Sequence, residues 1–188
     1  MTTHQVGYIV GSLSSKSINR VLATALARLA PPSLALNEIP IRDLPLYNHD
    51  LDGDYPPEGR ALKDAIERVD ALLIVTPEYN RSIPGGLKNA IDWASRPWQQ
   101  NSLTGKPTAV IGASIGAIGT AVAQQHLRNV LSFCDAPQMQ QPEAYIQFDA
   151  DRFAPDGEVT DDSTRKVLKQ YLESFATFID RTRPASGG

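Results

Sequence analysis

Cysteine occurs once in this chain, at Cys134, so no internal disulfide can form and a reducing compartment is expected. Long apolar runs are missing as well; none approaches the length of about 18 residues that a membrane-spanning helix needs. The start, MTTHQVGYIVG, has no basic stretch ahead of its short apolar run, so no signal peptide is expected. Nor is there an excess of basic charge. The formal net charge of −3 speaks against a nucleic-acid or anionic-membrane binder, either of which needs a basic face. Metal-ligand spacing is absent too, because His4, His49 and His126 are scattered. Asp50, Asp52 and Asp54 resemble the start of a calcium loop, but Tyr55 stands where glycine is required and Ala61 where glutamate is. What remains is a globular composition, 41% hydrophobic and 21% charged over 188 residues, sufficient for one domain with its own core. A cytoplasmic location is the expectation.

The most informative stretch runs from Ala71 to Trp93. Ala71–Val75 is short, apolar and β-branched, the pattern of a strand buried on both faces. Leu87, Ala90, Ile91 and Ala94 follow helical spacing. Between them Thr76–Gly86 is a loop with two prolines and two glycines, in which Pro84 suits the first helical turn and Ser82 is a candidate cap. Elsewhere Val6–Val10, Leu34–Ile39 and Lys106–Gly112 read as strands, and a weakly marked fifth is expected near Ala136–Gln140. Helical patterns cover Ile18–Leu29, Arg60–Val69, Thr120–Phe133 and Thr164–Arg181; residues 40–57 and 141–160 read as irregular. Strands alternating with helices predict a parallel sheet covered on both faces. One domain over 1–183 is expected, with a frayed tail at 184–188.

In such a sheet the loops after the first, third and fourth strands, 12–19, 77–82 and 113–119, leave from one edge, where ligands bind. The first loop brings four serines, Lys16 and a helix N-terminus, which suits a phosphate; the alternative reading is that Ser15 or Ser17 is an ordinary cap. A Walker A loop is excluded, since Lys16 and Ser17 stand where its second glycine and lysine belong. A dinucleotide fingerprint is excluded as well, because Gly112, Gly116 and Gly119 have the wrong spacing and follow the wrong strand. A mononucleotide phosphate in a serine-rich loop remains.

Taken together, Gly11-Ser-Leu through Ser17 and Asn19, Pro77-Glu-Tyr-Asn80, Pro84-Gly-Gly-Leu-Lys-Asn-Ala-Ile-Asp-Trp93, Gly105-Lys-Pro107 and Ser114-x-Gly116 resemble the NAD(P)H-dependent FMN reductase family, which includes bacterial quinone and chromate reductases. The similarity runs from about Gln5 to Arg181. It implies a flavodoxin-like three-layer α/β sandwich with a five-stranded parallel sheet in the order 2-1-3-4-5. It implies FMN as cofactor, with NADPH or NADH as donor and ping-pong transfer of two electrons to a quinone-like acceptor. The first loop, here Ser12, Ser14, Lys16, Ser17, Ile18 and Asn19, would wrap the phosphate. Pro77, Glu78, Tyr79 and Asn80 would lie against the isoalloxazine edge, with backbone N–H groups at 78–80 facing the ring, and Ser114 and Gly116 would border it opposite. Tyr79 is a candidate wall of the nicotinamide pocket, the alternative being a loop tyrosine packed on the following helix. Many relatives carry arginine at the position of Ser14; Lys16, two residues on, is then the charge left in the loop. A homodimer or homotetramer is implied, formed through the region of Trp93 and Trp98, although the sequence alone equally allows these two residues to be core. Two other readings stay open, a reductase of diffusible FMN and a flavodoxin-type electron carrier.

Overall fold

The structure is a computed structural model and describes residues 3–154 and 156–182; the tail expected at 184–188 lies outside the described residues. The elements run β1 (His4–Val10), α1 (Ile18–Leu29), β2 (Leu34–Glu38), a 3-10 turn (His49–Leu51), α2 (Pro57–Glu67), β3 (Ala71–Val75), α3 (Gly85–Ala94), β4 (Thr108–Ser114), α4 (Ala121–Phe133), β5 (Tyr145–Gln147) and α5 (Asp162–Thr182). The five strands form one sheet in the order β2-β1-β3-β4-β5, every neighbouring pair parallel. The expected order and the expected layers are both present.

β3 sits at the centre because all five of its residues are apolar and buried. Alternate side chains face opposite layers, as the strand period of two dictates. Ala71, Leu73 and Val75 join the core under α1 and α5, whereas Leu72 and Ile74 join the core under α2, α3 and α4. Each Leu or Ile so buried contributes about 1.5–3 kcal/mol. In the second core, fully buried Trp93 meets the rings of Tyr47 and Tyr55 edge-on, with centroids at 5.1 and 4.9 Å. Its indole N–H donates to Pro45 O at 2.7 Å, and Asn89 binds Pro45 O and Tyr47 N. The segment between β2 and α2 is irregular, as expected, yet it is clamped onto α3.

Two expectations need correction. The fifth strand is Tyr145–Gln147, inside the stretch that reads as irregular. Residues near Gln138 make only an isolated parallel bridge to Thr108, at the start of β4. The edge is split because Pro142 has no N–H to give a ladder, and β5 resumes opposite Gly112–Ser114. Ser82 does not cap α3: Pro84 holds the N-cap position without a side-chain cap, and Ser82 Oγ bonds His126 Nδ1 at 3.1 Å.

Candidate active site

Val10 pairs with Val75, and Val75 with Ile111, so β1 and β3 end level with each other beside β4, which runs on to Ser114, and the three loops leave from the same edge. The three sequence-expected loops therefore do meet. β4 continues through Ala113 and Ser114, which makes the third loop shorter than the sequence suggests. Gly112 is required where the loops converge, since a Cβ there would lie 2.0 Å from Thr76 O.

The first loop is shaped by its own serines. Ser14 N–H donates to Ser12 Oγ at 3.3 Å, and Lys16 N–H donates to Ser14 Oγ at 3.2 Å. The third loop repeats the device, with Gly116 N–H donating to Ser114 Oγ at 3.2 Å. A hydroxyl that accepts in this way retains its own O–H to donate. Behind the first loop, α1 begins without a side-chain cap and without an acidic residue in its first turn; Ser17 occupies the N-cap position in extended conformation. Its positive end is uncompensated, which favours an anion. This cradle fits a phosphate.

Asn19, at 1% exposure, is not directed outward with the same atoms. Its amide donates to Ala113 O at 2.9 Å and accepts from Ala113 N at 2.8 Å, locking the start of α1 to β4. Ile18, the first residue of α1, is half-buried and lines a cavity of about 570 Å³ with Ile115, Phe148 and Arg152.

The second loop is a tight two-residue turn. Tyr79 and Ser82 exchange backbone bonds of 2.9 and 3.0 Å, and Asn80 and Arg81 both take positive φ, 51° and 62°. A non-glycine pair held left-handed is strained, and such strain collects at ligand-binding sites. The turn presents Tyr79, half exposed, whose hydroxyl lies 3.4 Å from Ser12 Oγ. Pro77 is buried beneath it. Glu78 turns away: Oε2 accepts from Val122 N–H and Ala123 N–H at 3.1 and 3.0 Å, capping α4, and Oε1 pairs with Arg81 at 3.3 Å. Of the backbone N–H groups at 78–80, that of Tyr79 is engaged within the turn; those of Glu78 and Asn80 have no acceptor among the described residues. The rim is apolar, with Leu13, Tyr79, Ile115 and Ile118 all exposed.

Sequence reading missed two contributors. His126 steadies the turn through Ser82, and Arg42, between β2 and α2, donates to Leu13 O in the first loop. Neither stands at a spacing from its partner that a local pattern reveals.

Residues 4–151 match the model of a family described as NADPH-dependent FMN reductase. A 2-hydroxy-1,4-benzoquinone reductase of a Burkholderia species is 50% identical over 175 residues, 93% of this chain and 96% of that protein. A quinone reductase of Pseudomonas putida is 49% identical over 181 residues, 96% of this chain and 97% of that protein. Among solved structures, the flavoenzyme NAD(P)H:(acceptor) oxidoreductase FerB of Paracoccus denitrificans superposes with a TM-score of 0.92 at 48% identity, covering 96% of this chain and 99% of the other. With its serine cradle, its strained turn and these similarities over nearly its whole length, the chain belongs to the NADPH-dependent FMN reductase family.

Proposed function

We propose that the protein is an FMN-dependent NAD(P)H oxidoreductase that passes two electrons, in a ping-pong cycle, to quinones or similar small acceptors. The observation that carries this is the juxtaposition of an uncapped α1 N-terminus in a serine loop with an apolar rim built around a strained turn. FMN, when bound, supplies hydride chemistry that no side chain of the protein can perform. The hydroxyls of Ser12, Ser14 and Ser17, the Lys16 ammonium and the backbone at Ile18 and Asn19 hold its phosphate. Pro77–Asn80 and Ser114–Gly116 flank its ring. The backbone N–H groups of Glu78 and Asn80 stabilise negative charge there, as preorganised donors do. Leu13, Tyr79, Ile115 and Ile118 give a flat apolar reactant a dry surface to lie on, which suits both a nicotinamide and a quinone.

One sheet running through 4–147 supports treating 1–183 as a single FMN-binding domain. A cytoplasmic protein is our reading; no helix among the described residues is long and apolar enough to cross a membrane. A homodimer or homotetramer is supported by exposed Trp98 and Phe133, which flank one cleft of about 290 Å³ on the surface away from the candidate site. The test is steady-state oxidation of NADPH by purified protein with a benzoquinone and no partner protein. Turnover with stoichiometric FMN is expected. Turnover only with excess free FMN would shift the reading to a reductase of diffusible flavin, and none at all to an electron carrier.

A further inference from the structure

The first loop has too little positive charge of its own for the ligand assigned to it. A phosphate monoester carries about −1.5 to −2 at neutral pH. Lys16 is the loop's one cation. Arg20, in the first turn of α1, is held by Glu38, with NH1 2.9 Å from each carboxylate oxygen. A second cation does reach the loop, from 29 residues away in sequence. Arg42 donates through NH2 to Leu13 O, 2.5 Å distant, at the peptide that joins Leu13 to Ser14.

Three observations make Arg42 more than a brace. Among the described residues no carboxylate lies within 4.0 Å of its guanidinium, and Leu13 O is its one hydrogen-bond partner. A guanidinium has five N–H donors in a planar fork that matches phosphate oxygens, so donors remain for a ligand. A lone bond from an exposed arginine to a carbonyl gains little against the side-chain entropy it freezes, so bracing alone is a weak reason for the residue. The segment that carries it is also fixed. Ile41 is buried beside it, and Pro45 and Tyr47 are clamped by Trp93 and Asn89, so the guanidinium is presented from an ordered support.

We propose that Arg42 is a phosphate-recognising residue of this site, supplying in trans of the loop the charge that Lys16 leaves unmet on the flavin 5′-phosphate. The assignment rests on the flavin reading above. It predicts that Arg42 discriminates FMN from riboflavin, which shares the ring and ribityl chain but lacks the phosphate.

The experiment titrates apoprotein with FMN and with riboflavin, following quenching of flavin fluorescence, for wild type, Arg42→Gln and Arg42→Lys. Glutamine keeps an N–H for Leu13 O while removing the charge. Arg42→Gln should weaken FMN by about tenfold or more, the range for a charge-assisted contact, and leave riboflavin affinity unchanged. Arg42→Lys should recover part of the loss, and the deficit should shrink as salt rises. Equal weakening of both flavins would overturn the proposal in favour of a bracing role. Unchanged FMN affinity in both variants would overturn it outright while leaving the flavin reading intact. Failure of the wild-type apoprotein to bind either flavin would instead overturn the flavin reading, and Arg42's role with it.

Discussion

Replacing Glu78 tests how the second loop is held. Its carboxylate is 9% exposed and accepts two backbone N–H bonds from the first turn of α4. Loss of a cap costs about 0.5–2 kcal/mol, and hydrogen bonds to a charged group about 1.5–3 kcal/mol. These overlap rather than add, since both count the same two bonds. The exposed Arg81 partner adds little. Glu78→Ala should therefore destabilise the apoprotein by about 2–3 kcal/mol, which for a chain of this length lowers Tm by about 4–12 °C. Glu78→Gln keeps an acceptor and loses only the charge opposite the helix dipole, so about 1 kcal/mol is expected. Urea unfolding of apoprotein is the assay, because bound ligand would stabilise the native state by mass action and mask the difference. Flavin affinity of Glu78→Gln should stay within a few-fold of wild type. An unchanged urea midpoint combined with loss of flavin binding would refute the reasoning, because it would mean the carboxylate serves the ligand and not the helix.

Other perturbations probe neighbouring links. Tyr79→Ala should raise KM for the reduced nicotinamide by roughly two- to tenfold, as loss of an aromatic stacking surface does, while the protein still copurifies with FMN; loss of flavin with unaltered KM in reconstituted protein would contradict this. Gly112→Ala should destabilise the fold and displace the second loop, because the new Cβ would lie 2.0 Å from Thr76 O; a soluble variant with wild-type Tm and flavin affinity would show that the convergence is not tight. Asp161 accepts from Ser163 Oγ and Thr164 N–H ahead of α5, and these bonds, Ser163's first, pull its carboxyl down to about 2 from an ordinary 3.8. A lowered carboxylate pKa stabilises the fold fully above the ordinary value and loses that contribution as pH falls from about 4 towards 2. Asp161→Asn should flatten the stability profile in that window; an identical acid limb in the variant would remove Asp161 from the account.

The sheet and the three loops were legible because their signals are local. Ala71–Val75 is uniformly apolar, Ile18–Leu29 and Asp162–Thr182 carry a helical stripe, and glycine, proline and serine cluster between them. β5 was not legible. Its three residues are too few to show a period, and the weakly marked stretch Ala136–Gln140, where the fifth strand is expected, contributes only an isolated bridge to the start of β4. The partners of the site residues were the other gap. That Asn19 grips Ala113, that Glu78 turns to α4 and that Arg42 crosses to Leu13 are contacts across 94, 44 and 29 residues. Tertiary packing fixes them, and periodicity carries no trace of it. Residue types thus revealed where chemistry gathers, while the structure reveals which atoms are already engaged and which still face a ligand.

The central claim is that this edge binds FMN and passes electrons from a reduced nicotinamide. The most direct measurement is the absorbance spectrum of purified protein before and after anaerobic addition of NADPH. The account predicts oxidised-flavin bands at one flavin per chain that bleach directly to the two-electron reduced form and return when a quinone is added. A bound flavin whose spectrum NADPH leaves unchanged would contradict it.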